Sequence, residues 1–154
     1  MSRARGTEEG TIPVISLWMP WANWVSLGWK TIETRLHRRF SSLAGKTIGI
    51  HCSLKWDDTA LDAARDFLSP DQVTATGQFL RVGGAIICTA EVQECRELDP
   101  LDNARALIDC THVTRYGLIL RNIQTIEAIP CRGKQGIWYI PNPNLPTSQD
   151  ERER

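Results

Sequence analysis

Apolar and polar positions along the chain change period several times, and each change marks a candidate element. Ile12–Trp18 is rich in β-branched and apolar residues with enough alternation to predict a strand. Pro20 stands where a first helical turn begins and Gly28 where a helix stops, which predicts a short helix over Pro20–Leu27. Its Trp21, Trp24 and Val25 share one face at i, i+3, i+4 spacing and so are expected to pack on the core. Thr31–Arg35 and Lys46–His51 return to a strand-like pattern. From Trp56 to Leu68 the apolar positions follow helical spacing, with Asp57 and Asp58 near the positive end of the dipole, and this predicts the main helix. Ser69-Pro70-Asp71 predicts a second, brief helix with Ser69 as N-cap and Pro70 as its first residue, ending before Gly77. Ala85–Val92 is continuously apolar at first, as for a strand near the centre of a sheet. Cys95–Asp109 is acidic and mixed and is expected to be an exposed connection with some helix. Tyr116–Leu120, Thr125–Ile129 and Gly136–Ile140 complete the strand candidates. About six strands and two or three flanking helices without regular βαβ alternation predict an α+β fold around a small β-barrel.

The 154 residues fit one domain that can bury its own core, expected over residues 12–141, between flexible tails at 1–11 and 142–154. Neither a run of about 20 apolar residues nor a signal-like N-terminus is present, so no membrane partner and a cytoplasmic location are expected. Five cysteines without a C-x-x-C pair argue against a disulfide framework or a zinc knuckle, and read as reduced, mostly buried thiols. His37, His51 and His112 fall in separate elements without ligand spacing, so neither a metal nor another cofactor is expected. Net charge is zero, but residues 1–55 carry +5, 56–110 carry −7 and 111–154 carry +2. Local potential, not total charge, steers a polyanion, so a basic face on a neutral protein is allowed.

Three blocks of sequence resemble the ASCH family of PUA-like domains. The first is Ile15-Ser16-Leu17-Trp18-Met19-Pro20-Trp21-Ala22-Asn23-Trp24 followed by Gly28-x-Lys30-Thr31-Ile32-Glu33-x-Arg35, similar to the family's S-L-x-Q-P-W-A-S and G-x-K-T-I-E-x-R. Met19 stands where the family commonly has Gln, exchanging a polar contact for a flexible apolar one. The second is Gly45–Ser53, similar to a G-x-(I/L)-x-I-H-A strand, and the third runs from Tyr116–Leu120 through Pro130-Cys131-Arg132-Gly133-Lys134-Gln135-Gly136-Ile137-Trp138. The resemblance implies a PUA-like barrel and a nucleic-acid-binding cleft. Some small relatives are amidohydrolases of N4-acetylated cytidine with G-x-K-T-I-T-x-R, in which the lysine and second threonine act as base and nucleophile. Glu33 occupies that threonine position here, so the amidohydrolase activity does not carry over.

Strand alternation places Thr31, Glu33 and Arg35 on one face and Ile32 and Thr34 on the other, with Lys30 at the turn after Gly28. These residues admit three arrangements. Arg35 and Lys30 can hold phosphate while Glu33 accepts from a base amino group such as that of cytosine. Alternatively, Lys30 and Glu33 can act as base and acid/base partner in a hydrolytic centre; the resemblance to bacterial relatives implies for it a ribonuclease or nucleoside-directed hydrolase, to which His51 or His37 would contribute. The third is a plain ion pair that holds the turn. Trp18, Trp29 and Trp138 are candidates for stacking unpaired bases, natural or modified, of RNA or single-stranded DNA, with Trp29 expected to be the most exposed. Ser53 is a candidate anion contact. Arg38, Arg39, Arg132 and Lys134 form loop runs that barrel closure can bring to one rim, where they would track a phosphate backbone. A coactivator-like alternative uses the acidic segment 91–109 to bind a protein partner.

Overall fold

The computed structural model describes residues 10–143, so the expected tails lie largely outside the described residues. The chain forms β1 (Thr11–Met19), α1 (Trp21–Ser26), β2 (Ile32–Arg35), β3 (Thr47–Trp56), α2 (Ala60–Ala64), α3 (Pro70–Gly77), β4 (Ala85–Glu97), α4 (Asn103–Ala106), β5 (Tyr116–Pro130) and β6 (Trp138–Pro141). One mixed sheet of six strands runs β2-β5-β4-β3-β1-β6, with β1 and β3 parallel and the other pairs antiparallel. The fold is α+β, and its sheet is not closed by hydrogen bonds between its outer strands. Ile15, Leu17, Ile48, Ile50, Val92 and Leu118 form the main core under α1. Burying each such side chain contributes about 1.5–3 kcal/mol before the entropy cost of ordering it.

Local chemistry sets the element ends. Gly28 closes α1 with φ +78°, a left-handed conformation that carries no Cβ penalty in glycine, and the chain then turns directly into β2. Ser69 caps α3 through a reciprocal box: its hydroxyl accepts from the Gln72 amide at 3.1 Å, and the Gln72 side chain accepts from the Ser69 amide at 2.9 Å.

The main helix expected from Trp56 to Leu68 is instead divided. Trp56 pairs with Met19 as the last residue of β3, and α2 begins only at Ala60 before a 3-10 turn over Arg65–Phe67. Asp57 causes the break. Its amide donates to the Met19 carbonyl, and its carboxylate accepts from the Thr59 amide and hydroxyl at 2.9 and 2.6 Å, a local turn that competes with a first helical turn. In the other direction, the two strands expected at Tyr116–Leu120 and Thr125–Ile129 are one strand, β5. Asn122 at φ 50° absorbs an irregularity in its middle and hydrogen-bonds Glu91, so a turn-like Arg-Asn pair continues the ladder.

The acidic stretch after Val92 is not an exposed connection. Its first part extends β4 to Glu97, and Leu98, Asp102, Ala106 and Leu107 are buried. Leu98, Ala106 and Cys110 pack with Ile32 and Ile119 as a second small core that fixes β2 from behind.

One topological detail positions the site. β6 pairs only with Thr11–Val14, so beyond Val14 the outer side of β1 has no strand neighbour. The curled sheet brings β2, the opposite edge, towards this unpaired half, and a cavity lined by Ser16–Trp18 and Glu33–Arg35 separates them. The barrel is therefore open along a seam.

Candidate functional site

The side chains at the seam follow from strand parity. Ile32 points into the small core, which sends Glu33 and Arg35 the other way. On β1, Ser16 and Trp18 face the opening, and on β3 the same period-2 rule brings His51, Ser53 and Lys55 to it.

Three adjoining cavities meet at Arg35. The first, of about 300 Å³, lies between β1 and β2 and is lined by Trp18, Trp21, Glu33, Arg35 and Asp57. The second, of about 1030 Å³, is a wider cleft whose basic lining residues are Arg35, Arg39, Lys55, Arg132 and Lys134, together with His37 and His51; among the described residues no aspartate or glutamate lines it. The third, of about 270 Å³, lies against β4 and β5 and is lined by Arg35, Arg38, Phe40, Tyr116 and Leu118 among others.

Several polar atoms at this junction are buried without partners. Glu33 is 6% exposed, and its Oε2 has no hydrogen-bond partner. Arg35 Nε and Nη2 also lack one. Glu33 Oε1 and Arg35 Nε stand 3.9 Å apart, beyond hydrogen-bonding distance, while the guanidinium lies 4.6 Å over the Phe40 ring. The ion pair exists but satisfies neither group. Asp57 contrasts with Glu33. Burial alone would push its carboxyl up, but hydrogen bonds from the Thr59 hydroxyl, the Trp21 indole and the Thr59 amide hold it below the ordinary carboxylate value. Desolvation, followed by the charges of Arg39 and Arg35, holds His37 below the ordinary imidazole value.

The basic wall opposite is a loop strapped to β1 and β3. Ser16 Oγ donates to the Lys134 carbonyl at 3.1 Å, and His51 Nε2 donates to the Cys131 carbonyl at 2.9 Å, leaving Nδ1 buried without a partner. Gly133 makes this contact possible, because a Cβ there would stand 2.6 Å from His51 Cε1 and 3.1 Å from Ser16 Oγ.

Most of the expected residues line this junction: Trp18, Glu33, Arg35, Arg38, Arg39, His51, Ser53, Arg132 and Lys134. Trp18 is 48% exposed, with the Lys55 ammonium 5.0 Å over its ring. Three expected residues do not line it. Lys30, placed at the cleft as an anion contact or base, is 1% exposed; its ammonium donates to the Ala106 carbonyl and lies over the Trp21 ring. Burial pushes its pKa down to about 8 against the opposing pull of Glu33. Trp29, expected to be the most exposed ring, packs on Phe79 with centroids 5.9 Å apart. Trp138 is buried edge-on behind His51. Sequence reasoning missed Lys55, Ser16, Phe40 and Tyr116. Lys55 was legible as the i+4 partner of His51 once β3 is extended through Trp56.

Among the described residues no group of three or more His, Cys, Asp or Glu is placed to hold a metal ion, and no helix is long and apolar enough to cross a membrane. The five cysteines are free, and burial pushes the thiols of Cys52 and Cys88 up to about 11 and about 12. Such values disfavour the reactive thiolate.

No family model matches the sequence, and no curated protein matches it. Solved structures do match in fold. The crystal structure of ASCH from Zymomonas mobilis superposes with a TM-score of 0.53 at 15% identity, covering 92% of this chain and 91% of that one. A point mutant of the same Zymomonas mobilis protein gives the same TM-score and identity over 92% of this chain and 94% of that chain. The fold is similar to that of these ASCH structures, as the three sequence blocks implied.

Proposed function

We propose that this chain binds single-stranded nucleic acid, RNA or DNA, in the open seam of its barrel. The observation that carries the reading is the cleft of about 1030 Å³ with five lysines and arginines and no carboxylate in its lining, opening at Arg35 onto a smaller cavity with aromatic walls. The cleft suits a phosphate backbone, and the exposed Trp18 suits an unpaired base. Glu33 Oε2, an acceptor without a partner, suits an exocyclic amino group, natural or modified, at that base's edge.

Catalysis draws less support. Lys30 is turned away onto Ala106, and both oxygens of Asp57 are taken, so Glu33 has no second proton carrier beside it in the small cavity. The protein-partner alternative also draws little, because each carboxylate of segment 91–109 has an internal partner: Glu91 with Arg121, Glu94 and Asp102 with Arg96, Glu97 with Arg38, and Asp99 and Asp109 with backbone amides.

Fluorescence anisotropy with single-stranded RNA and DNA oligonucleotides, plain and base-modified, tests the reading. Binding that falls linearly with the logarithm of salt concentration is expected, with duplexes bound more weakly. No binding by any oligonucleotide at low salt would overturn it.

A further inference from the structure

We infer that the site takes two successive nucleotides: one base in the cavity between β1 and β2, the next in the cavity against β5, and the phosphate between them on Arg35. The inference rests on the nucleic-acid reading and adds to it the size of the recognised unit.

Arg35 is the wall shared by both small cavities as well as by the cleft. A guanidinium placed in a fold with Nε and Nη2 buried and unpaired costs free energy unless an acceptor arrives, and those two nitrogens form one edge of the fork that grips phosphate oxygens. Phe40 holds that fork in place from one face at 4.6 Å, so its direction is set before a ligand binds.

The two cavities are alike in size, about 300 and 270 Å³, at the lower end for small-molecule sites and suited to one heterocycle each. Their chemistry differs. The β1–β2 cavity has the Trp18 and Trp21 rings and the unpaired Glu33 oxygen, so it reads a base edge. The β5 cavity is walled by Phe40, Tyr116 and Leu118, and the Arg38 guanidinium lies 4.8 Å over the Tyr116 ring as a cationic plane on which a base can stack. The one carboxylate among its described lining residues, Glu97, is 4.0 Å from Arg38 and mostly exposed, a pair that solvent screens and a base can displace. A mononucleotide fills one cavity and leaves the other open; a dinucleotide spans the fork.

Calorimetry with cytidine monophosphate, with the 5′-phosphorylated cytidine dinucleotide and with a longer oligocytidine tests this. The dinucleotide is expected to bind at least about tenfold more tightly than the monophosphate, as one added stack provides. The dinucleotide, and not the monophosphate, should shift the amide resonances of Tyr116 and Gly117. Ser41→Trp, at an exposed position lining the β5 cavity, is expected to abolish the dinucleotide's advantage and leave the monophosphate affinity unchanged. Arg38→Ala, which removes the stacking plane without filling space, should reduce the same advantage. Equal affinity for the two ligands, or an advantage that survives both substitutions, overturns the inference while oligocytidine binding leaves the cleft reading standing. Failure of all three ligands to bind also overturns the inference, and the cleft reading falls with it when the RNA and DNA oligonucleotides of the anisotropy series fail as well.

Discussion

Arg35 and Arg96 are both half-buried and both face carboxylates, yet the fold treats them differently. Arg96 is matched completely: its two terminal nitrogens donate to the two oxygens of Asp102, each at 2.8 Å, its Nε reaches Glu94 at 3.2 Å, and Asp102 also accepts from the Asp99 amide. Arg35 stands 3.9 Å from Glu33 and has two nitrogens without partners. The first arrangement is a brace, closing the segment after β4 onto the sheet. The second leaves buried donors without acceptors, and this is the feature that the proposed nucleic-acid reading assigns to a ligand. The same residue type is thus fully satisfied at one position and left unsatisfied at another within one domain.

Breaking the brace should have the largest effect. Asp102→Ala leaves Arg96 without its fork partner and the Asp99 amide without its cap, and is expected to cost about 2–4 kcal/mol in urea unfolding, with oligonucleotide affinity of the folded protein unchanged. The hydrogen bonds from Arg96 hold the Asp102 carboxyl down at about 2, below its ordinary 3.8. The unfolded chain takes up that proton first. The stability difference between wild type and Asp102→Asn should therefore be full above 3.8 and shrink as pH falls from there through about 2.

Arg35→Met should show the reverse. Affinity for single strands is expected to fall about 10- to 100-fold, as for loss of charge-assisted hydrogen bonds, while unfolding midpoints hold or rise. A large loss of stability instead would make Arg35 a second brace and dissolve the contrast. Arg132→Ala and Lys134→Ala should each weaken binding several-fold, almost equally across sequences, and lower the salt slope by about one.

The contrast is tested from the other side through Lys30, which belongs with the brace. Its folded pKa is about 8 against an ordinary 10.5, so the unfolded chain holds the proton more tightly. Wild-type stability relative to Lys30→Met should rise as pH increases from about 8 to 10.5 and be level below that window. Thermal melts across the range measure it.

Local signals were read well where one residue decides them. Gly28 closes α1, the Ser69-Pro70 box starts α3, and period-2 parity put Glu33 and Arg35 on one face. Asp57 misled because two aspartates beside apolar residues look like a helix start, whereas the carboxylate is tied to Trp21, 36 positions away, a contact that no local pattern announces. Lys30 misled for a related reason. Beside a glutamate and an arginine it reads as part of a charged cleft, but its hydrogen-bond acceptor is the Ala106 carbonyl in α4, which only the folded segment after β4 brings near. Trp29 was judged by its turn neighbours, and Phe79 was the missing term. The seam itself was beyond the sequence, since it depends on how far β6 runs along β1.

Gly133 sets an evolutionary constraint on the basic wall. Its backbone lies so close to the side chains of His51 and Ser16 that a side chain there would displace either the loop or the His51 ring that straps it, while the side chains of Arg132, Lys134 and Gln135 beside it are exposed. Single substitutions can therefore exchange those three residues and leave the barrel untouched. Replacement of Gly133 is the change that such drift does not survive.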